Sequence, residues 1–436
     1  MNPSIGSLDF LFTTFEGGGA VSAMIAVATR LAGRGHAVRF MSDECNRAEA
    51  EHAGLEFILW ITAPGRTDKT AATDFARDWE PASPEAGFVQ LRDRLMCGPA
   101  AQYATDVVNA IRTRAPDLIV SNDLLMGPAI AAQATERPFV LFGPNISLYP
   151  LPGLPPVGPG LLPAETEADR AQHAAIAAAI RALLNGGLPA VNAARAAFQL
   201  PPIDDVMEQL EAAECYLLAT SPAFDFPSAS PSPSSWMRYV GPELADPAWA
   251  HPWQSPWSDT DERPLVLIAF STSYQNHLGV LERIAAALGD LPVRAVLTMG
   301  PGLAGHDLRA PSNVAVCESA PHGPLMRDAR LVITHGGHGT IVRALVAGVP
   351  LLCIPVGRDQ GDNTVRVTAR NAGIGLPPTA SSEEIRSAVN TLLQQASYRE
   401  AARQLGARIA DDAARSTVVE ELESRARARR LASAVE

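Results

Sequence analysis

Short, wholly apolar runs alternate with amphipathic stretches from the start of the chain. "LDFLFTTF" reads as a buried strand, "AVSAMIAVATRLAGRG" as a helix ended by glycine, and "HAVRFMS" and "LEFILWI" as second and third strands. "PDLIVSN" and "RPFVLFG" repeat the doubly buried strand signature around the helical "LMGPAIAAQATE". This half is therefore predicted to be a parallel sheet covered by helices, with its first four strands ordered 3-2-1-4. The segment from Tyr149 to Pro163 is too rich in proline and glycine for a periodic element, and reads as a wall or lid at the face where α/β sheets bind ligands. An alanine-rich helix, "ADRAQHAAIAAAIRALLNGG", and a strand, "ECYLLAT", follow. Regularity then lapses from Ser221 to Pro264, a stretch with many prolines and the tryptophans Trp236, Trp249, Trp253 and Trp257, where the linker is expected. Beyond it the alternation restarts with "PLVLIAF", "GVLERIAAALGD", "VRAVLTMG", "VAVCES", "ARLVITH", "GTIVRALVAG" and "VPLLCIPV".

The pattern predicts two α/β domains facing a cleft lined by the carboxyl ends of both sheets. The expected division is 1–240, a linker at 241–263, a second domain at 264–415, and a terminal helix at 416–436 able to cross back to the first domain. The length of 436 residues agrees, being too great for one core. A net charge of -12 argues against a nucleic acid or anionic membrane as partner. The basic "ESRARARR" near the end is explained locally, because Glu421 and Glu423 stand four residues before Arg425 and Arg427 on one helix face. Five scattered cysteines without a CxxC give neither a zinc site nor a disulfide framework and fit a reducing cytoplasm. With no apolar run of membrane-spanning length, the expectation is a cytoplasmic protein, monomeric or homodimeric.

The most informative chemistry lies between Leu331 and Asn363. A buried strand ends at Thr334, Gly336 and Gly337 permit a tight turn, and Gly339 and Thr340 open a helix whose free N–H groups favour an anion. His335 at the strand end can add a donor to a phosphate oxygen, or be satisfied by backbone. One strand later, "GRDQGDN" brings Asp359 and Gln360 to the same open face, a carboxylate and an amide suited to sugar hydroxyls.

Together "THGGHGT" and "PVGRDQ" resemble the inverting family 1 glycosyltransferases of GT-B fold, in particular the bacterial enzymes that glycosylate macrolides and other natural products. "SAPHGPLMRDA" resembles the family's base-binding loop, and "AFSTS" its small-polar phosphate contact. The resemblance covers most of the C-terminal half and is weaker in the N-terminal half, where "RGHAVRF" and "PDLIVSN" carry it. It implies two Rossmann-like domains, and a donor site formed by Ser271, Thr272, His322, His335, Gly337, His338, Gly339, Thr340, Asp359 and Gln360. It also implies transfer of a hexose or deoxyhexose from a UDP- or TDP-sugar to an apolar small-molecule acceptor, with no cofactor besides that co-substrate and no metal.

The chain departs from the family at the acceptor base. The usual histidine after the first strand falls on Ala20 and the aspartate that orients it falls on Asn122. Neither can take a proton or stabilise an imidazolium. Glu16 and Asp123 are the carboxylates left to serve as base, Glu16 competing with a solvated loop role and Asp123 with a helix N-cap. A self-ionising acceptor is the other route. Two further readings stay open at this point: a glycosyltransferase-like binding protein without turnover, and a dinucleotide-dependent oxidoreductase. The oxidoreductase reading is weakened because Ser22 stands where a third glycine belongs, which leaves Asp43 a turn residue.

Overall fold

The computed structural model describes residues 6–433 apart from 151–152, 227–235, 247–252 and 259. Trp249, in the expected linker, lies outside the described residues. The N-terminal half forms a seven-stranded parallel sheet in the order β3-β2-β1-β4-β5-β6-β7. Its strands are β1 (Asp9–Thr13), β2 (Ala37–Ser42), β3 (Glu56–Leu59), β4 (Leu118–Asn122), β5 (Phe139–Gly143), β6 (Tyr216–Leu218) and β7 (Met237–Tyr239). Helices α1 (Gly19–Gly33), α2 (Arg47–His52), α3 (Pro84–Leu91), α4 (Ala100–Thr113), α5 (Met126–Ala134), α6 (Glu167–Asn185), α7 (Leu188–Ala197) and α8 (Val206–Glu211) connect them. Alternate residues of one strand serve two cores: Phe10 and Phe12 pack with α1, and Leu11 packs with α4 and α5. That double duty makes the central strands apolar throughout.

The C-terminal half repeats the design with six parallel strands in the order β10-β9-β8-β11-β12-β13. These are β8 (Leu265–Ala269), β9 (Arg294–Thr298), β10 (Val314–Cys317), β11 (Ala329–Thr334), β12 (Leu351–Cys353) and β13 (Gly373–Gly375). They are accompanied by α9 (Leu278–Gly289), α10 (His322–Asp328), α11 (His338–Val346), α12 (Gln360–Thr368), α13 (Ser382–Gln394) and α14 (Ala396–Ala414). The final helix, α15 (Val418–Ser433), leaves this domain: its Val418, Val419, Leu422 and Ala426 join the core cluster of β1 and α1. Glu423 there meets His36 at 3.0 Å, Arg34 at 3.2 Å and Arg427 at 2.7 Å. Two of the terminal arginines are partnered on their own helix, Arg425 by Glu421 at 3.5 Å and Arg427 by Glu423, while Arg429 reaches Glu214 of the first domain at 3.1 Å.

The structure adds elements to the sequence reading, among them α13, α14 and β13. Met237–Tyr239, inside the irregular stretch expected to be linker, pairs with β6 as an edge strand, too short to carry a period. Helix α4, with Tyr103, Val107 and Ile111 buried, has no counterpart among the predicted elements. Among the described residues no single helix is long and apolar enough to cross a membrane.

Candidate active site

The carboxyl ends of both sheets open on one cleft of about 1180 Å³, lined on one side by the loops after β1, β4 and β5 and on the other by those after β8, β11 and β12. In the second domain, Thr334 ends β11, Gly336 turns with φ +97°, and Gly337 caps α11. Gly336 is required by its backbone and by space, and Gly337 is crowded by a side chain. A Cβ on Gly336 would lie 2.8 Å from the Gln360 carbonyl oxygen, and one on Gly337 would lie 2.7 Å from the His335 imidazole. The turn brings the start of α11 to the cleft with Gly339 and Thr340, the Thr340 N–H turned back to the Gly337 carbonyl at 3.1 Å, and a helix start of this kind favours an anion. His335 lines the same wall beside Phe270, 5.7 Å between ring centroids. Burial, with His277 and Arg358 nearby, pushes its pKa down to about 3, so it is a neutral imidazole at pH 7.

Other expected donor-site residues are engaged in ways the sequence did not reveal. His338 bonds Thr220 of the first domain at 2.7 Å and packs edge-on to Phe224, so its ring serves the domain interface. Gln360 is buried: its Oε1 accepts from the N–H groups of Val356 and Gly357, at 2.7 and 3.1 Å, and its Nε2 donates to Gln275 at 2.6 Å. Its amide shapes the loop in this state rather than standing free for a sugar. Asp359 lies in the cleft wall at the start of α12 and accepts from Asn363 at 2.8 Å. Ser271 is tied to Gln275 at 2.9 Å, and Thr272 faces the first domain at Gly18. His322 begins α10 with Nε2 3.2 Å from the Thr298 hydroxyl.

The acceptor side explains the three glycines after β1. Gly18 has φ +75°, and a Cβ there would stand 2.7 Å from Thr272 Oγ1 of the facing domain. Glu16 is neither solvated nor free. Its Oε1 accepts from the Gly18 N–H at 2.9 Å, and its Oε2 pairs with Lys69 at 3.1 Å. Burial acts to lower the Lys69 pKa, but Glu16 and Glu49 more than offset it, so the ammonium is held above its ordinary value. Asp43, read as a turn residue, is a buried brace that accepts from the N–H groups of Glu16 and Arg66.

Asp123 is not an N-cap: Leu125 occupies that position, without a side-chain bond. Asp123 lines the cleft, and its buried carboxyl accepts the Tyr216 hydroxyl at 2.6 Å. Burial, with Asp359 adding to it, pushes the pKa up to about 7 against the pull of that hydrogen bond. Asn122 forms a local turn, its Oδ1 accepting from Leu124 N–H at 3.0 Å.

Sequence reasoning missed Lys69, Tyr216, Asp78 and Arg358. Arg358, with φ +55°, makes a two-pronged bond to Asp78 of the first domain at 2.7 and 2.9 Å, and Trp79 meets Tyr274 edge-on at 4.8 Å. Only Tyr216 carried a signal, a hydroxyl within the otherwise apolar "YLL".

Comparison with known proteins agrees with this arrangement. Residues 282–424 match the family model described as erythromycin biosynthesis protein CIII-like, C-terminal domain. The chain is 27% identical over 429 residues to 4'-demethylrebeccamycin synthase of Lentzea aerocolonigenes, covering 94% of this chain and 97% of that one. A shorter match, 29% over 182 residues and 40% of this chain, joins it to 3-alpha-mycarosylerythronolide B desosaminyl transferase of Saccharopolyspora erythraea, covering 41% of that protein. Among solved structures, the glycotransferase of kitacinnamycin superposes with a TM-score of 0.74 at 18% identity, over 97% of this chain and 100% of that one. The calicheamicin glycosyltransferase CalG4 does so with 0.69 at 20%, over 97% and 98%. Two parallel sheets facing one cleft, the glycine turn into α11 and these likenesses lead to one conclusion: the chain is a glycosyltransferase of GT-B fold whose residues 282–424 match an EryCIII-like C-terminal domain.

Proposed function

We propose that the protein moves a hexose or deoxyhexose from a UDP- or TDP-linked donor to an apolar small-molecule acceptor, with inversion, Asp123 taking the acceptor's proton. The observation that carries this reading is the single cleft in which the α11 N-terminus and Asp359 face Asp123. The diphosphate would lie on the α11 N–H groups and His335, and the sugar against Asp359. The acceptor would fill the apolar lobe formed by Phe75, Phe88, Leu95, Met96, Ile180 and Leu184. In one step the acceptor X–H loses its proton to Asp123, a bond forms from X to the anomeric carbon, and the bond to the diphosphate oxygen breaks with its electrons. The nucleoside diphosphate leaves. A carboxylate poised near neutrality suits this proton transfer better than Glu16, whose charge is already matched by Lys69.

Nucleotide binding is the direct test. UDP or TDP at millimolar concentration should raise the melting temperature, because a ligand that binds only the folded state stabilises it. His335→Ala should weaken affinity by about tenfold to a hundredfold, the worth of one hydrogen bond to a charged group. Asp359→Ala should spare free nucleotide and lose transfer. No thermal shift with either nucleotide would remove the donor assignment, and nucleotide binding without turnover across an acceptor panel would favour a binding protein.

A further inference from the structure

Asp123 stands where β4 meets its loop, and three elements fix it. From β6, Tyr216 donates to Oδ2 at 2.6 Å. From the loop after β5, the Tyr149 hydroxyl donates to the Asp123 main-chain oxygen at 2.5 Å. At the end of β5, Gly143 leaves no space to spare: a Cβ there would lie 2.8 Å from the Tyr216 hydroxyl and 3.0 Å from Asp123 Oδ2. The rings of Tyr149 and Tyr216 stand 6.3 Å apart, and Trp236 closes the far side of Tyr216 at 5.6 Å. The titratable groups that face this cluster are Asp359 from the opposite domain and Cys97 behind Tyr149.

We propose that Tyr216 is the positioning residue of the acceptor base: its hydroxyl anchors one Asp123 oxygen so that the other is presented to the acceptor proton. This inference rests on the reading of Asp123 as base. Burial holds both phenols well above their ordinary pKa, so Tyr216 stays protonated and donates to the carboxylate form of Asp123. A bond to the charged form favours that form, which keeps part of Asp123 ionised at neutral pH despite its burial. The Tyr–Asp pair thereby supplies what a histidine and its aspartate would, with the acid itself as proton acceptor and the phenol as its orienter. The proton that Asp123 gains passes to solvent after transfer, and Tyr216 ends each cycle as it began.

The experiment is a carboxyl carbon NMR titration of the full chain labelled at aspartate, with the Asp123 resonance identified by its loss in Asp123→Asn. The wild type should titrate near pH 7. Tyr216→Phe should move the midpoint up by about one to two pH units, the equivalent of one hydrogen bond to a charged group. Tyr149→Phe, whose hydroxyl bonds only the main chain, should move it little. If Tyr216→Phe does not fold, a fluorinated tyrosine at position 216, a stronger donor of the same shape, should move the midpoint down. A midpoint that stays put when the 216 phenol is removed or acidified overturns the inference. Turnover of a phenol acceptor with UDP-glucose or TDP-glucose gives the second readout: the acid limb of kcat/KM should follow the NMR midpoint and Tyr216→Phe should recover at high pH. A uniform loss at every pH means a merely structural tyrosine. Full activity in Asp123→Asn sinks the base reading itself, whatever the titration shows.

Discussion

Two acids beside one cleft differ because of what each touches. Glu16 has a lysine and a backbone N–H, and acts as a brace for the glycine turn. Asp123 has a phenol and, among the described residues, no cation on its carboxyl, and burial holds its pKa near neutrality. The same reasoning isolates His277, fully buried and stacked 5.8 Å from Phe270, whose ring nitrogens have no hydrogen-bond partner among the described residues. Burial pushes its pKa down to about 4 from an ordinary 6.5. The unfolded chain therefore binds the extra proton first, and stability contributed by this residue is present above pH 6.5 and lost as the pH falls towards 4. His277→Phe should remove that sensitivity. Urea melts should show the variant gaining about 2 kcal/mol on wild type between pH 7.5 and pH 5. An equal difference at both pH values would mean that His277 does not resist protonation.

At the scale of the element, the turn into α1 is shaped by the other domain as much as by its own strand. Gly18→Ala meets two obstacles, a φ of +75° and the Thr272 hydroxyl 2.7 Å from the new methyl. The backbone part should cost about 1–3 kcal/mol. The steric part should be seen as weakened donor binding, because Thr272 belongs to the loop beside the anion site. Adding Thr272→Ala should relieve the second effect and not the first, which melts and nucleotide titrations on the three variants would separate. Local elements of this kind show how much was legible beforehand. The central strands of both sheets were readable since burial on two faces leaves them apolar, as in "LDFLFTTF", while the short β7 and β13 were not, and the α11 turn was readable since strand end, glycines and helix start are adjacent in sequence. Glu16 was misjudged because its cation lies 53 residues on, in an aperiodic loop. The Tyr216–Asp123 bond spans 93 residues and Arg358–Asp78 spans 280, so sheet order and domain closure, not local pattern, bring those pairs together. Gln360 matched a motif by type, but its neighbours' N–H groups claimed its oxygen.

Across the whole molecule, the two domains are tied at unlike places. Asp225 and Arg366 form a buried pair at 2.7 Å, with Tyr239 also bonded to Asp225 at 2.8 Å. At the cleft mouth, Gly158 and Gly160 of the loop read as a lid donate their N–H groups to Asp362 at 2.8 and 3.1 Å. Asp78 and Arg358 join the same rim, with the Arg358 side chain 28% exposed. Asp78→Asn should loosen the rim without unfolding the protein. KM for donor should rise while the melting temperature falls by only a few degrees, since a part-exposed pair is worth on the order of 1 kcal/mol. An unchanged KM would make the pair incidental to substrate capture. The contrast between these ties has a kinetic consequence. The inner pair is sealed from dissolved ions, and the outer pair is a catch that they can reach. Raising ionic strength should therefore release the catch first, shortening the residence of substrate and product together. If escape of product limits the cycle, turnover number should climb with salt as affinity declines, so one ion pair sets the exchange rate between speed and retention.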